Sequence, residues 1–149
     1  MKWSWTSILA VLGLATTGCR HETSVGPAGA AVGTAAGAAA ATSTVIRHVD
    51  AGGAERLIAD GKVVVLDVRT PAEYAAGHLE GAQLINFSAP DFATNLAKLD
   101  RQQPYLLHCA TGRRSTAALK VFEELGFRDV THLDGGLKAW TDAGKPVSR

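Results

Sequence analysis

Sulfur is scarce in this chain: its 149 residues hold two cysteines, Cys19 and Cys109, and one methionine. Two cysteines close at most one disulfide, so a scaffold held together by bridges is excluded. No C-x-x-C occurs, and a cysteine among scattered histidines lacks zinc-ligand spacing, so no metal is expected. An excess of one charge is lacking too. Lys and Arg total 15 against 14 Asp and Glu, and setting aside Lys2, Arg20 and Glu22 leaves thirteen of each sign from Val45 onward. A nucleic-acid partner would show as a basic stripe, so none is expected. Any anion must then be bound by a local arrangement rather than by a global field. Nor is the apolar stretch Ile8–Ala15 long enough to cross a bilayer permanently.

What that stretch does offer is the shape of an export signal: a basic start at Lys2, an apolar run, then small residues. Thr16-Thr17-Gly18-Cys19 resembles the bacterial lipobox, with Thr16 standing where that pattern usually has Leu. The resemblance implies lipid on Cys19, which would then be the mature N-terminus; ordinary signal cleavage nearby is the alternative. Residues 1–19 are thus expected to be a signal or lipoprotein-type segment. The protein is expected in the bacterial periplasm or cell envelope, touching a membrane only through such a lipid. Residues 20–44 follow as an Ala/Gly-rich linker, thirteen of the 25 being one or the other. Without an aromatic residue or an apolar period this stretch cannot bury a core.

From 45 to 149 the pattern is that of one folded domain. Val63–Leu66 is a continuous apolar run ending at Asp67, as in a buried parallel strand. Leu84–Phe87, Tyr105–His108, Val130–Leu133 and Val45–Val49 read the same way. Helical patterns fall near 50–60, 71–77, 91–99, 114–125 and 135–143. This alternation predicts an α/β domain whose mainly parallel central sheet is flanked by helices on both faces. Thr70-Pro71-Ala72-Glu73 predicts a capping box with proline in the first turn. Ala118, Val121, Phe122 and Leu125 share one helix face, and Gly126 supplies its stop.

The chemistry is concentrated in His108-Cys109-Ala110-Thr111-Gly112-Arg113-Arg114-Ser115-Thr116. This segment leaves the carboxyl end of a buried strand, where open α/β sheets bind ligands, and runs into a helix. A tight loop there turns backbone N–H groups inward as an anion nest. Gly112 permits a conformation that a side chain would resist, and Arg113 and Arg114 add forked donors. Each feature favours a thiolate on Cys109. Lowering an ordinary thiol by about two pKa units, roughly 2.7 kcal/mol, would make it mostly ionised at neutral pH. A buried, inert cysteine is the plain alternative, but it explains neither the glycine nor the paired arginines.

Two families use loops of this kind. Protein tyrosine phosphatases share the His-Cys start and the glycine three residues on, but place their arginine six residues after the cysteine, where this chain has Ser115. The spacing Cys-x-x-Gly-x-Arg resembles the active loop of the rhodanese family instead. Leu66–Tyr74 with Gly77–Ala82 resembles that family's upstream signature, and Val130–Trp140 its closing one. The resemblance covers nearly all of 45–149 in a single copy. It implies a rhodanese-like fold and a sulfurtransferase in which Cys109 attacks the outer sulfur of a small anionic donor such as thiosulfate. The persulfide would lie inside the N–H ring of Ala110, Thr111, Gly112, Arg113, Arg114 and Ser115, and an external thiol or cyanide would take the sulfur. Arg114, at the family's arginine position, and Arg113 would orient the donor's oxyanion. No cofactor is implied. A non-catalytic sulfur carrier or binding module on the same fold is the alternative, with a phosphatase or arsenate-reductase-like enzyme behind it. A lone exported thiol also leaves a redox-sensor role open.

Other residues have quieter expectations. Asp67 either supports the loop or, as preferred here, bonds local backbone N–H groups. Arg69 and Glu73 are expected to pair near a helix start, and His78 to close the Gly77–Gly81 turn. Alternation turns His108 away from Cys109. Trp140, with Leu137, is expected to pack the last helix on the core.

Overall fold

A computed structural model describes residues 43–149; the expected export segment with Cys19, and linker residues 20–42, lie outside the described residues. The apolar runs form five strands: β1 (Val45–Val49), β2 (Val64–Asp67), β3 (Gln83–Leu84), β4 (Pro104–His108) and β5 (Asp129–Leu133). Between and after them lie helices α1 (Ala51–Ala59), α2 (Pro71–Ala76), α3 (Phe92–Leu96), α4 (Arg113–Glu124) and α5 (Gly136–Asp142). All strand pairs are parallel, in the order β1-β5-β4-β2-β3. The longest apolar strands sit in the middle of that order because both their faces must be covered.

The pleat divides the core. Leu66, Tyr105, Leu107 and Val130 face α3 and α4, meeting Phe92, Leu96, Ala118 and Phe122. Val65, Leu106 and Leu133 face the other way, against Ala54 of α1 and Trp140 of α5. The predicted α/β architecture with helices on both faces is present. Leu137 lies beside Trp140 in that second cluster, as expected, and the Trp140 indole donates to Pro146 O at 2.7 Å.

Local signals behave as their chemistry requires. Asp50 caps α1 through Gly53 N at 2.7 Å. Thr70 and Glu73 form the predicted capping box, with Pro71 in the first turn. Two elements are shorter than predicted. The strand expected over 84–87 keeps only Gln83–Leu84, because its partner β2 ends at Asp67; beyond it single bonds, Ile85 N to Asp67 O and Phe87 N to Val68 O, guide the chain. The helix expected over 91–99 spans Phe92–Leu96 and continues as turns.

Candidate active site

β4 delivers Cys109 to the carboxyl end of the sheet, on the face covered by α4. The chain then turns through Gly112, whose φ of +90° lies in the left-handed region that glycine adopts without a Cβ penalty. A Cβ there would also crowd Gly135 N at 3.4 Å. The turn aims the free N–H groups of the loop and of the first turn of α4 at the sulfur. Gly112 N lies 3.2 Å from Sγ, and the N–H groups of Thr111, Arg114 and Ser115 also favour its ionised form. The Ser115 hydroxyl adds a contact at 3.4 Å. Cys109 is 1 % exposed. Burial alone pushes its thiol up; the Ser115 hydroxyl and the backbone donors outweigh that and hold the thiol below its ordinary value. Such a cradle favours negative charge on the sulfur.

The back of the loop rests on the start of α5. Leu137 N donates to Cys109 O at 2.8 Å and Lys138 N to Ala110 O at 2.9 Å. This close approach requires Gly136: a Cβ there would stand 2.4 Å from Cys109 O and 2.9 Å from Gly112 N. The Gly135-Gly136 doublet was visible in the sequence, but its contact with a loop 26 residues earlier was not.

The two arginines have different surroundings. Arg114 forks onto Glu73, Nη1 to Oε2 at 2.8 Å and Nη2 to Oε1 at 2.6 Å. The Arg114 fork, reinforced by Thr70, outweighs partial burial and lowers Glu73 to about 2. Glu73 in turn raises the Arg114 guanidinium, with a smaller contribution from Cys109. Arg113 is exposed. It lines a cavity of about 340 Å³ with Phe87, Thr111, Arg114 and Ala117. A second cavity of about 510 Å³ shares Thr111 and Arg113 and reaches Gly112, Thr116, His132 and Asp134.

Several expectations are corrected. Arg69 and Glu73 do not pair: Glu73 takes Arg114, while Arg69 turns back to Asp67, with Nε at 2.9 Å from both oxygens and Nη2 at 2.6 Å from Oδ2. Arg69 precedes the N-cap Thr70, so it never shares the helix face that its spacing from Glu73 suggests. Asp67 bonds the local N–H of Arg69 at 2.9 Å, the preferred reading, and none of its side-chain bonds reaches the Cys109 loop. His78 stacks on Tyr74 and bridges to Ser148 instead of closing its own turn. His108 does face away from Cys109 Sγ, on the side of Asp67; its Nε2 lies 3.8 Å from Asp67 Oδ2 and has no hydrogen-bond partner. Burial drives the His108 imidazole down in pKa despite that carboxylate.

Sequence reading missed His132, which enters the site from β5. Its Nε2 lies 2.8 Å from Ser115 Oγ and its Nδ1 3.0 Å from Asp134 Oδ1. Alternation from the core residue Val130 could have placed it on the Cys109 face. His48, paired with His132 in register, adds a 2.9 Å contact to the same Asp134 oxygen. His48, His132 and Asp134 are metal-ligating types within 4.8 Å of one another, but these contacts engage them with one another.

The profile of the rhodanese-like domain matches residues 50–143. The chain is 41% identical over 85 residues to the probable adenylyltransferase/sulfurtransferase MoeZ of Mycobacterium tuberculosis, a match covering 57% of this chain and 22% of that protein. It is 32% identical over 97 residues to the thiosulfate sulfurtransferase GlpE of Pseudoalteromonas translucida, covering 65% of this chain and 90% of that one. Among solved structures, a rhodanese-related protein from Thermoplasma volcanium superposes with a TM-score of 0.62 at 30% identity, covering 68% of this chain and 97% of the other.

Proposed function

The chain belongs to the rhodanese family of sulfurtransferases, and from that premise we propose that it moves sulfane sulfur from thiosulfate or a similar small anionic donor to a thiol or cyanide through a persulfide on Cys109. The observation that carries this reading is the ring of backbone and hydroxyl donors, with Gly112 N at 3.2 Å and Ser115 Oγ at 3.4 Å, around a buried sulfur held below the ordinary thiol pKa. In the first half-reaction the Cys109 thiolate attacks the outer sulfur of the donor. The donor S–S bond breaks, sulfite leaves with its electron pair, and the negative charge on the new terminal sulfur stays in the ring. In the second, an acceptor nucleophile takes that sulfur and restores the thiolate.

Arg113, exposed beside both cavities, is the cation available to the donor's sulfonate. Arg114 is pinned by Glu73 and supports the loop wall while adding positive charge beside the sulfur. At 1 % exposure the sulfur admits only a narrow approach, which suits the terminal atom of a small donor. Cys109 is the only free cysteine among the described residues, so an acceptor thiol must come from outside them. The Met1–Cys19 sequence supports export to the periplasm or cell envelope, with lipid on Cys19 as the membrane tie.

Steady-state assay with thiosulfate and cyanide tests the reading. Thiocyanate production with parallel double-reciprocal lines, abolished in Cys109→Ser, is expected. Stable persulfide without turnover would make the protein a sulfur carrier instead.

A further inference from the structure

The site's hydrogen bonds fix where its protons lie. Ionised Asp134 is acceptor-only, and its carboxyl is held down chiefly by His48, against partial burial, with help from His132. His132 Nδ1, 3.0 Å from Asp134 Oδ1, must therefore carry a proton. In a neutral His132 the other nitrogen, Nε2, is then an acceptor, and the Ser115 hydroxyl donates to it at 2.8 Å, the shorter of two acceptor contacts, the other being Gly112 O at 3.0 Å. With its proton so committed, Ser115 Oγ turns a lone pair to Cys109 Sγ at 3.4 Å. Both Ser115 and His132 are buried, so the row is shielded from solvent from the sulfur to the imidazole and opens to solvent at Asp134.

We propose that Ser115, His132 and Asp134 form a proton relay that ionises Cys109 and then holds the thiolate. The S–H bond breaks as its proton passes to Ser115 Oγ, and the Ser115 O–H bond breaks as its proton passes to His132 Nε2. The electron pair stays on sulfur. The products are a thiolate and an imidazolium still bonded to Asp134. The bonds from Ser115 to His132 and to Cys109 reverse direction: Nε2–H now donates to Ser115, and Ser115 donates to the thiolate, with Gly112 O at 3.0 Å as the competing acceptor. His132 acts through Ser115 and is a positioning residue, not one that touches the donor. The relay rests on the sulfurtransferase reading for its purpose, since it readies Cys109 to attack.

Groups around His132 set the balance. Asp134, from the β5–α5 turn, and the thiolate itself favour the imidazolium. His48 on β1, with ring centroids 5.1 Å apart, and Arg113, on the same cavity, oppose it when charged. Thr116 Oγ1 of α4, 3.4 Å from Nε2, adds a neutral contact.

The test is alkylation of the full-length protein by iodoacetamide between about pH 5 and 9, read on the Cys109 peptide so that Cys19 does not contribute. His132→Gln keeps a polar atom toward Ser115 but cannot accept a proton. We expect Cys109 to react about tenfold more slowly at neutral pH, the midpoint having risen by about one unit. Ser115→Ala should do the same, and the double variant should be no slower than either single one, because both break one chain. A His132→Gln profile that coincides with the wild type, or additive losses, overturns the relay. Should His132→Gln fail to fold, nitrogen NMR of the His132 ring decides. The relay predicts a protonated Nε2 beside the wild-type thiolate and an unprotonated one in Cys109→Ala; the same state in both overturns it. Alkylation needs no sulfur donor, so unaltered profiles with normal thiocyanate production sink the relay alone. The predicted profiles without thiocyanate sink sulfur transfer alone.

Discussion

His108 and Cys109 are neighbours in the chain and both are buried, yet they face opposite sides of the sheet into clusters of opposite character. On the His108 side, Asp67 and Arg69 satisfy each other almost completely: the carboxylate takes the guanidinium and the Arg69 N–H, and spare guanidinium valence goes to Gly77 O at 2.7 Å. The Arg69 Nε and Nη2 donors are thus taken within the fold, and His108, with an unpartnered Nε2, is pushed toward neutrality by burial. On the Cys109 side the donors outnumber the acceptors. Several N–H groups converge on one sulfur, and Arg113 stands exposed at the adjoining cavities. Burying a charge with its counter-charge makes a joint of the fold. Burying a sulfur among N–H groups that lack another partner makes a place for negative charge to arrive.

The strongest break of this contrast is Asp67→Asn. It leaves Arg69, 4 % exposed, without a counter-charge, and should cost about 3–5 kcal/mol in denaturant unfolding. Alkylation of Cys109 in the remaining folded protein should be unchanged, because Asp67 makes no side-chain bond to the loop. Gly136→Ala strikes the other side. Its Cβ collides with Cys109 O, so persulfide formation should fall about 100-fold, as for a displacement of about 1 Å in a reacting group, with roughly 2 kcal/mol of lost stability. Gly61→Ala is the control: φ is +63° with nothing within 4 Å, so it should cost about 1 kcal/mol by backbone strain alone and leave Cys109 untouched.

Smaller effects are best read against pH. Glu73→Gln should change stability by under about 1 kcal/mol, since the pair with Arg114 is partly exposed. Glu73 is lowered in the fold from 4.5 to about 2. Its contribution is therefore full above about 4.5 and lost as pH falls toward 2, so the wild-type advantage in thermal unfolding should vanish across that window. His108 is likewise lowered, so the unfolded chain binds its proton first. Stability should decline as pH falls below the ordinary imidazole value of about 6.5. His108→Leu should flatten that decline while changing stability at higher pH by less than about 1 kcal/mol.

Much of this could be read from the sequence, wherever the determinants are local. The strands were legible because both faces of β2, β4 and β5 are covered, which makes their apolar runs continuous. The cradle was legible because Cys109, Gly112 and the first turn of α4 lie within one short segment. What stayed hidden depends on contacts between distant segments. Glu73 and Arg114 are 41 residues apart, and Ser115 and His132 are 17 apart. The expected pair of Arg69 and Glu73 did not form because the helix begins only after Thr70 and Arg69 turns back to Asp67. β3 was overextended because an apolar sequence does not reveal where a neighbouring strand runs out of partners.

The central claim is that the Cys109 ring accepts and holds one sulfur atom. Intact-mass spectrometry of the reduced protein after thiosulfate, beside Cys109→Ser, tests it most directly. A gain of one sulfur, about 32 Da, in the wild type alone, removed by cyanide, is the predicted result. An equal gain in Cys109→Ser, or no gain in either, would contradict it.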